Sequence, residues 1–417
     1  MNITLRKILQ NKLNLIFILA FALAFFVRLY NFSNRVSFWT EQAQSLIVST
    51  NYLSKPSLLG QEFYRTDSRG HIIFAGADFN YALVPLILLF RGDPILITSA
   101  FAFLNLITGL MIYIITGKLF NKTIALFSSV IFLFNDLMIY HSLFIWIYNP
   151  LPLIGLFILY AVIKRKNIWT GFLSGLAFSL QIMFAAFVLP ILGMVILRAK
   201  NKVKAVILFL AGAVVADLPM VLFDIKHKFY ETITIFQYFL DTLRGRSDAT
   251  FNYYYFLFLW PIFAIVAGVF IYSIWKKSKA AAYGLLGVYF IANLTSTKLN
   301  WTGPNGANGI KVNEIKLASE QIAKNAPEKF NVASVLDFDK RAYVLRYFVQ
   351  YKYGKTPEGV ENYPNSKELY VLAPNKFDYK GSNIWEIKVG GPYDVTKLTD
   401  VGANYQISKL QYCQKCK

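Results

Sequence analysis

The chain of 417 residues is short of charge and, above all, of acid. Only 16% of its residues are charged, whereas a soluble domain carries about 25%. With 56% hydrophobic residues, it belongs neither to the disordered nor to the ordinary soluble class. Its two cysteines exclude a disulfide scaffold and a protein with several zinc sites. The sequence also lacks P-loop, GxGxxG, HExxH and GxSxG patterns, so it offers no motif for soluble nucleotide chemistry.

What the chain has instead is a series of apolar runs near 20 residues long, which predict an α-helical polytopic membrane protein. The run 168–197 has thirty residues, and we split it in two near residues 183–190. The run 81–90 is too short to cross and predicts an interfacial or re-entrant helix. The total is about nine transmembrane helices, with the other crossings at 13–30, 94–116, 123–140, 148–163, 203–223, 251–275 and 280–294.

The distribution of charge predicts how the chain is oriented. Five connections hold fifteen Lys and Arg and no acid, and the positive-inside rule places them in the cytoplasm with the N-terminus: 1–12, 117–122, 164–167, 198–204 and 276–279. Because the basic residues flank apolar runs, they indicate topology and no nucleic-acid partner. All eleven acids of the first 300 residues and the three histidines fall on the opposite side. Either acids are merely scarce in short cytoplasmic loops, or the chemistry is extracytoplasmic, as the long outer loops 31–80 and 224–250 favour.

The composition changes after residue 296, which ends the predicted transmembrane domain 1–296. Residues 297–308 contain Gly, Pro and Asn and predict a linker. Residues 309–417 hold 17 basic and 12 acidic residues and predict a small soluble α/β domain, which the topology places outside the cytoplasm. We expect helices at 310–325 and 340–351, and strands at 331–336, 368–373, 384–389 and 405–412.

The first outer loop contains a candidate surface helix. Trp39, Ala43 and Leu46 fall on one face and Glu41 on another, so the helix would lie on the membrane with Glu41 directed away from it. Thr40 is the expected N-cap, which puts Glu41 in the first turn, where the helix dipole favours its charge. From the residues alone, two interpretations of Glu41 are equally good. It is either an acid at a helix end with no chemical role or a functional carboxylate.

The second outer loop brings charge to the membrane edge. Asp217 lies inside the apolar run 203–223, where an ionisable group is costly and is a site candidate by default. Lys226 and His227, together with Arg244 and Arg246, could hold a lipid phosphate or could only contact lipid headgroups. The sequence leaves both interpretations open.

No cofactor has a motif, and metal dependence stays open. Glu41, Asp136, His141 and His227 could contribute ligands to a divalent cation, but no spacing among them shows it. Cys413 and Cys416 form a CxxC pair at the chain end, which is weak evidence for zinc because zinc needs four ligands. A local disulfide, free thiols or packing explain the pair better.

Five segments resemble, in their order and spacing, bacterial GT-C glycosyltransferases of the family 39 type: 28–31, 38–43, 58–60, 145–150 and 219–229. That family uses polyprenyl-phosphate sugars and includes protein O-mannosyltransferases and aminoarabinose transferases. The resemblance covers most of residues 1–300 and extends loosely into the C-terminal domain. It implies the GT-C fold. In that family an acid in the first outer loop acts as base on the acceptor, and Glu41 matches its position.

The resemblance implies a multi-pass plasma-membrane glycosyltransferase that moves a sugar from a polyprenyl-phosphate donor to an extracytoplasmic acceptor hydroxyl, with inversion. The acceptor would be a protein, a glycan or a lipid. Glu41 would be the catalytic base. Cations would stabilise the departing phosphate, and the candidates are Arg65, Arg69, Lys226, His227, Arg244 and Arg246. Supporting candidates are Asp136, His141, Asp217 and Asp224.

Two other functions remain as alternatives. One is a catalytically inactive scaffold of the same fold, since Leu143 and Met183 stand where the family often has Arg and His. The other is a polytopic transporter or lipid-carrier flippase. Transporters usually carry charge near mid-membrane and show paired repeats, and the sequence shows little of the first and none of the second.

Overall fold

The computed structural model describes residues 3–246, 252–297 and 310–413. The chain forms two compact units. Unit 1 consists of Met1–Tyr30, Asn51–Pro85 and Ser99–Leu299, and unit 2 of Asn31–Thr50, Leu86–Thr98 and Asn300–Lys417. Two segments from the first hundred residues therefore belong to the same unit as the C-terminal domain. Apart from Thr297, the predicted linker 297–308 lies outside the described residues, so the linear division at 296 and 309 stays a prediction.

Three helices in the described part of the chain are long and apolar enough to cross a membrane: Lys12–Leu29, Pro94–Leu119 and Tyr253–Lys277. A fourth span results if Lys202–Ala216 and Leu218–Lys226, which are bent by 80°, are counted as one. The expected count of nine is thus not confirmed. Polar residues interrupt several of the apolar runs, as Gln181 does between residues 167 and 198 and Asp217 does at the 80° bend.

The long first half of the chain is mainly helical. Helices α9 (Asn167–Leu180) and α11 (Lys202–Ala216) pack closely. A Cβ at Gly171 would lie 1.9 Å from the Phe209 carbonyl oxygen, and one at Gly212 would lie 2.1 Å from the Ile168 carbonyl oxygen. Small residues at such crossings let helix backbones approach. In chain order the helices are α1 Ile3–Leu29, α2 Phe32–Arg35, α3 Thr40–Asn51, α4 Asp78–Leu89, α5 Pro94–Leu119, α6 Lys122–Leu133, α7 Asp136–His141, α8 Leu151–Ile163, α9 Asn167–Leu180, α10 Ala185–Arg198, α11 Lys202–Ala216, α12 Leu218–Lys226, α13 Tyr230–Leu243, α14 Trp260–Lys277 and α15 Lys279–Ser296.

Both segments expected as outer loops contain regular structure that the sequence analysis did not predict. The first contains an antiparallel hairpin of β1 Leu59–Thr66 and β2 Ile72–Gly76. Its turn uses Gly70 at φ 82°, a conformation that glycine adopts without steric cost. The second contains α13, a helix of 14 residues. Both elements belong to unit 1.

The C-terminal part of unit 2 is a small α/β structure. Its sheet has the order β3-β4-β6-β5, in which β3 Asn331–Ser334 and β4 Glu368–Pro374 are parallel and the remaining pairs are antiparallel. The other strands are β5 Tyr393–Val401 and β6 Tyr405–Tyr412, and the helices are α16 Val312–Asn325, α17 Tyr343–Tyr347 with a π-helical turn Phe348–Lys352, and α18 Trp385–Lys388.

One expected strand of this domain is wrong and one strand was missed. The segment 384–389 contains the short helix α18, although its apolar residues alternate with polar ones. Strand β5 was missed because it lies at the edge of the sheet and carries exposed polar residues such as Lys397 and Asp400. Edge strands tolerate such residues since one side faces no partner strand.

Candidate functional site

Glu41 lies in the first turn of α3, as expected, but Thr40 is not the N-cap. The helix begins at Thr40, and the cap position belongs to Trp39, whose carbonyl accepts the Ala43 N–H at 2.9 Å. The Trp39 N–H in turn donates to Gln42 Oε1 at 2.8 Å. The Thr40 hydroxyl donates to Asp337 Oδ2 at 2.5 Å. The helix start is therefore held by side chains, one of them distant in sequence.

The surroundings of α3 differ from those of a helix lying on a membrane. Its polar residues Gln42, Gln44, Ser45 and Ser49 are buried in the protein together with the apolar residues Ala43 and Leu46. The prediction of a surface helix with its apolar face toward the membrane and its polar face exposed is therefore wrong. The two serine hydroxyls bond back to backbone carbonyls of the preceding turn, Ser45 to that of Glu41 at 2.8 Å. Such bonds to the helix's own backbone satisfy the hydroxyl donors of buried serines.

Two further groups near α3 in the chain or in contact with it were not identified from the sequence. Asp337 follows β3, and burial raises the pKa of its carboxyl while the hydrogen bond from the Thr40 side chain lowers it. Arg35 is 1% exposed, and burial lowers the pKa of its guanidinium to about 10, which leaves it charged at neutral pH. Neither has a sequence signal, since both belong to segments that read as polar loops.

Acids of the segment 224–250, including the candidate Asp224, accept hydrogen bonds from backbone N–H groups of that segment and of the β1–β2 hairpin. The Asp224 carboxylate accepts the N–H groups of Glu231 at 2.8 Å and Thr232 at 3.0 Å, and so caps the start of α13. Glu231 Oε1 accepts the Phe74 N–H at 2.7 Å, and burial raises the pKa of Glu231 to about 7. Asp241 Oδ2 accepts the Ser68 N–H at 3.0 Å. These bonds fasten the β1–β2 hairpin to α13.

The second-loop cations expected to share one phosphate do not lie together. Lys226 and His227 precede α13, whereas Arg244 and Arg246 follow it. Its 14 residues separate the two pairs by about 21 Å at 1.5 Å per residue. The His227 ring stacks on Phe223, with centroids 4.1 Å apart, and its Nδ1 lies 2.8 Å from the Phe223 carbonyl oxygen.

The hairpin cations, Arg65 and Arg69, are associated with the end of α13 that precedes Arg244 and Arg246. Arg69 Nε donates to Asp67 Oδ2 at 2.7 Å within the hairpin turn, and the next-door Ser68 contacts Asp241. Burial opposes ionisation of Asp67, yet hydrogen bonds from His71 and Arg69 hold its pKa below the usual value. Arg246 acts electrostatically on Asp241, and Arg65 acts on Tyr238 of the same helix. Arg65 and Arg246 thus act on groups in the C-terminal half of α13, and Arg69 lies in the hairpin turn whose Ser68 contacts that half.

The remaining candidates lie in separate environments. His141 packs in an aromatic cluster with Trp146 and Tyr253, and burial lowers its pKa to about 4, so it is neutral at pH 7. Asp136 accepts the Ser296 hydroxyl at 3.0 Å. Asp217 lines a cavity of about 390 Å³ whose other lining residues are apolar except Ser174.

The described residues contain no group of three or more His, Cys, Asp or Glu side chains placed to hold a metal ion. Glu41, Asp136, His141 and His227 are therefore not brought together as metal ligands in this part of the chain. Of the two residues of the CxxC pair, Cys413 is among the described residues and Cys416 lies outside them.

Comparison with solved structures shows what the fold is similar to. The chain is similar to ArnT from Cupriavidus metallidurans in the apo state and bound to undecaprenyl phosphate. In both comparisons the TM-score is 0.61 and the identity 11%, over 96% of this chain and 98% of ArnT. At that identity the likeness shows the fold, which is the GT-C type expected from the sequence. No family model and no curated protein matches the chain.

Proposed function

We propose that the protein is an integral membrane glycosyltransferase that moves a sugar from a polyprenyl-phosphate donor to an extracytoplasmic acceptor hydroxyl. The observation that carries the proposal is the likeness to ArnT over nearly the whole of both chains, since one of those ArnT structures holds undecaprenyl phosphate. The apolar cavity beside Asp217 would suit isoprenoid units of such a lipid.

The proposed reaction is a direct displacement at the sugar carbon. The acceptor oxygen forms the new bond to that carbon, and its proton passes to the Glu41 carboxylate, because a hydroxyl is a poor nucleophile without a base. The bond from the carbon to the phosphate oxygen breaks, and the polyprenyl phosphate leaves with the electron pair. Attack opposite the leaving group inverts the sugar carbon.

Cations would stabilise the charge of the departing phosphate. The proposal assigns this role to Arg65, Arg69, Arg244 and Arg246, which are associated with the hairpin and the end of α13. Lys226 and His227 are exposed beside the exposed apolar residues Ile225 and Phe229. We assign these two to lipid headgroups, since basic residues next to exposed apolar ones are typical of a membrane interface.

The test is sugar transfer from a radiolabelled polyprenyl-phosphate sugar pool in membranes, comparing wild type with Glu41→Gln. Loss of a general base predicts a rate lower by roughly 10²–10⁴-fold. Glu320→Gln is the matched control, since Glu320 forms a surface ion pair with Lys324. Full activity of Glu41→Gln would exclude Glu41 as the base. An inactive wild type, across several donors, would favour the scaffold or flippase.

A further inference from the structure

The start of the Glu41 helix is bound by a carboxylate from the C-terminal part of unit 2. Asp337 Oδ2 accepts the Thr40 hydroxyl at 2.5 Å across 297 residues of chain. The Thr40 backbone N–H also contributes to lowering the pKa of this carboxyl, against the effect of burial. The first N–H groups of a helix have no partner within it, and negative charge is favoured there. Asp337 therefore places a carboxylate at the start of α3, bound to the side chain of its first residue.

Asp337 is itself held in a closed loop. The loop follows β3, the strand that pairs in parallel with β4. The Ser334 N–H donates to the Lys340 carbonyl at 3.1 Å, and Lys340 Nζ donates to the carbonyls of Val335 and Asp337. The second carboxylate oxygen of Asp337 accepts the Phe338 N–H at 2.9 Å. The carboxyl ends of parallel strands commonly carry functional groups in α/β sheets, and here that end carries the group that holds α3.

The residues before α3 are attached to the same part of unit 2. Phe38 is 1% exposed, and its ring lies edge-on to those of Tyr347 and Phe348, with centroids 5.7 and 5.6 Å away. The backbone just before α3 and the first residue of α3 are thus each anchored to a different element. Because Glu41 is the next residue of the helix, these contacts also fix the position of its backbone.

We propose that Asp337 is a positioning residue for the transfer reaction: by capping α3 it keeps the Glu41 carboxylate aligned with the acceptor hydroxyl. The proposal rests on the proposed function. A displacement of about 1 Å from productive geometry can lower a rate by roughly 10²-fold. On this proposal the C-terminal domain contributes to the chemical step through the position of Glu41.

The test uses the full-length protein in membranes or detergent with Asp337→Ala, Asp337→Asn, Thr40→Val and Thr40→Ser. We expect Asp337→Ala and Thr40→Val to lower kcat by about 10- to 100-fold with KM changed little. Thr40→Ser, which keeps the hydroxyl, should retain most of the activity, and Asp337→Asn should fall between. The double variant Asp337→Ala/Thr40→Val should be no worse than the poorer single variant. Asp400→Asn, at a surface pair with Lys397, is the matched control.

Hydrogen exchange at Thr40–Gln42 gives a second readout that does not need activity. Loss of the cap should speed exchange of these amides by about fivefold, since a cap contributes about 1 kcal/mol. Unchanged exchange in Asp337→Ala would overturn the proposal, and so would faster exchange with unchanged kcat. A wild type without transfer would contradict the proposed function alone, because the exchange result still decides whether Asp337 holds α3.

Discussion

Units 1 and 2 both use a carboxylate to hold a segment that is distant in sequence, but they differ in what lies next to it. In unit 1, Glu231 and Asp241 are fully buried and accept backbone N–H groups of the hairpin. In unit 2, Asp337 accepts from Thr40, and the adjacent Glu41 is half-buried. The acid that holds and the acid proposed to react are separate residues. An acid on an outer segment is therefore not by itself a sign of chemistry.

The largest effect expected within unit 1 separates the two ends of α13. Arg244→Ala combined with Arg246→Ala should lower transfer by roughly 10²-fold, because it removes charge stabilisation from the departing phosphate. Lys226→Ala combined with Lys228→Ala should change transfer by less than about threefold, since exposed charges contribute little. The measurement is transfer rate at equal amounts of folded protein. An equal loss at both ends would contradict the assignment of Lys226 to lipid headgroups.

Asp224 tests whether the acids of unit 1 are structural. Asp224→Ala removes the acceptor of the Glu231 and Thr232 N–H groups, and should destabilise α13 by about 1–3 kcal/mol. Asp224→Asn keeps an acceptor oxygen and should cost less. Thermal unfolding and chymotrypsin cleavage within α13 measure this. If Asp224→Asn abolished transfer in a protein of wild-type stability, Asp224 would belong to the reaction instead.

A further expected effect concerns the dependence of stability on pH. Since burial raises the pKa of Glu231 from 4.5 to about 7, the folded protein keeps this proton between those values while the unfolded chain releases it. Stability from this group is therefore fully present below pH 4.5 and is lost as pH rises to about 7.

Glu231→Gln should remove that dependence. The wild-type melting temperature should fall, relative to that of the variant, as pH rises from 5 to 8. Parallel melting curves over this range would show that Glu231 titrates normally. Glu320→Gln, at an exposed helix position, serves again as the control because its carboxyl is not buried.

The parts of the fold that follow from local pattern were predicted well. Apolar runs indicated the helical character of the first half of the chain, although the count of nine crossings is not confirmed. The alternation at 405–412 gave a strand with the observed bounds. What the sequence analysis missed depends on long-range contacts. The hairpin β1–β2 is short, and it is held by Glu231 and Asp241, which follow it by more than 150 residues. No local pattern reports such partners.

The candidate site shows the same division. The position of Glu41 in the first turn of a helix was predicted from Thr40 and the apolar spacing, and it is confirmed. The grouping of the cations was not predictable from the sequence. All of them belong to a segment next to a predicted membrane span, but the sequence analysis did not predict the helix α13 that separates Lys226 from Arg244. The catalytic and phosphate-binding roles of these residues stay predictions until transfer is measured.

The sequence by itself determined that this chain is a helical membrane protein with a charged α/β domain at its end, because apolar length and charge distribution are local properties. It also determined which residues carry ionisable groups on the segments predicted to lie outside the cytoplasm. Only the tertiary structure decided which of those groups hold the backbone through hydrogen bonds and which lie next to such a bond, as Glu41 does. That choice depends on contacts such as Thr40 with Asp337, whose hydrogen bond joins residues that no sequence period relates.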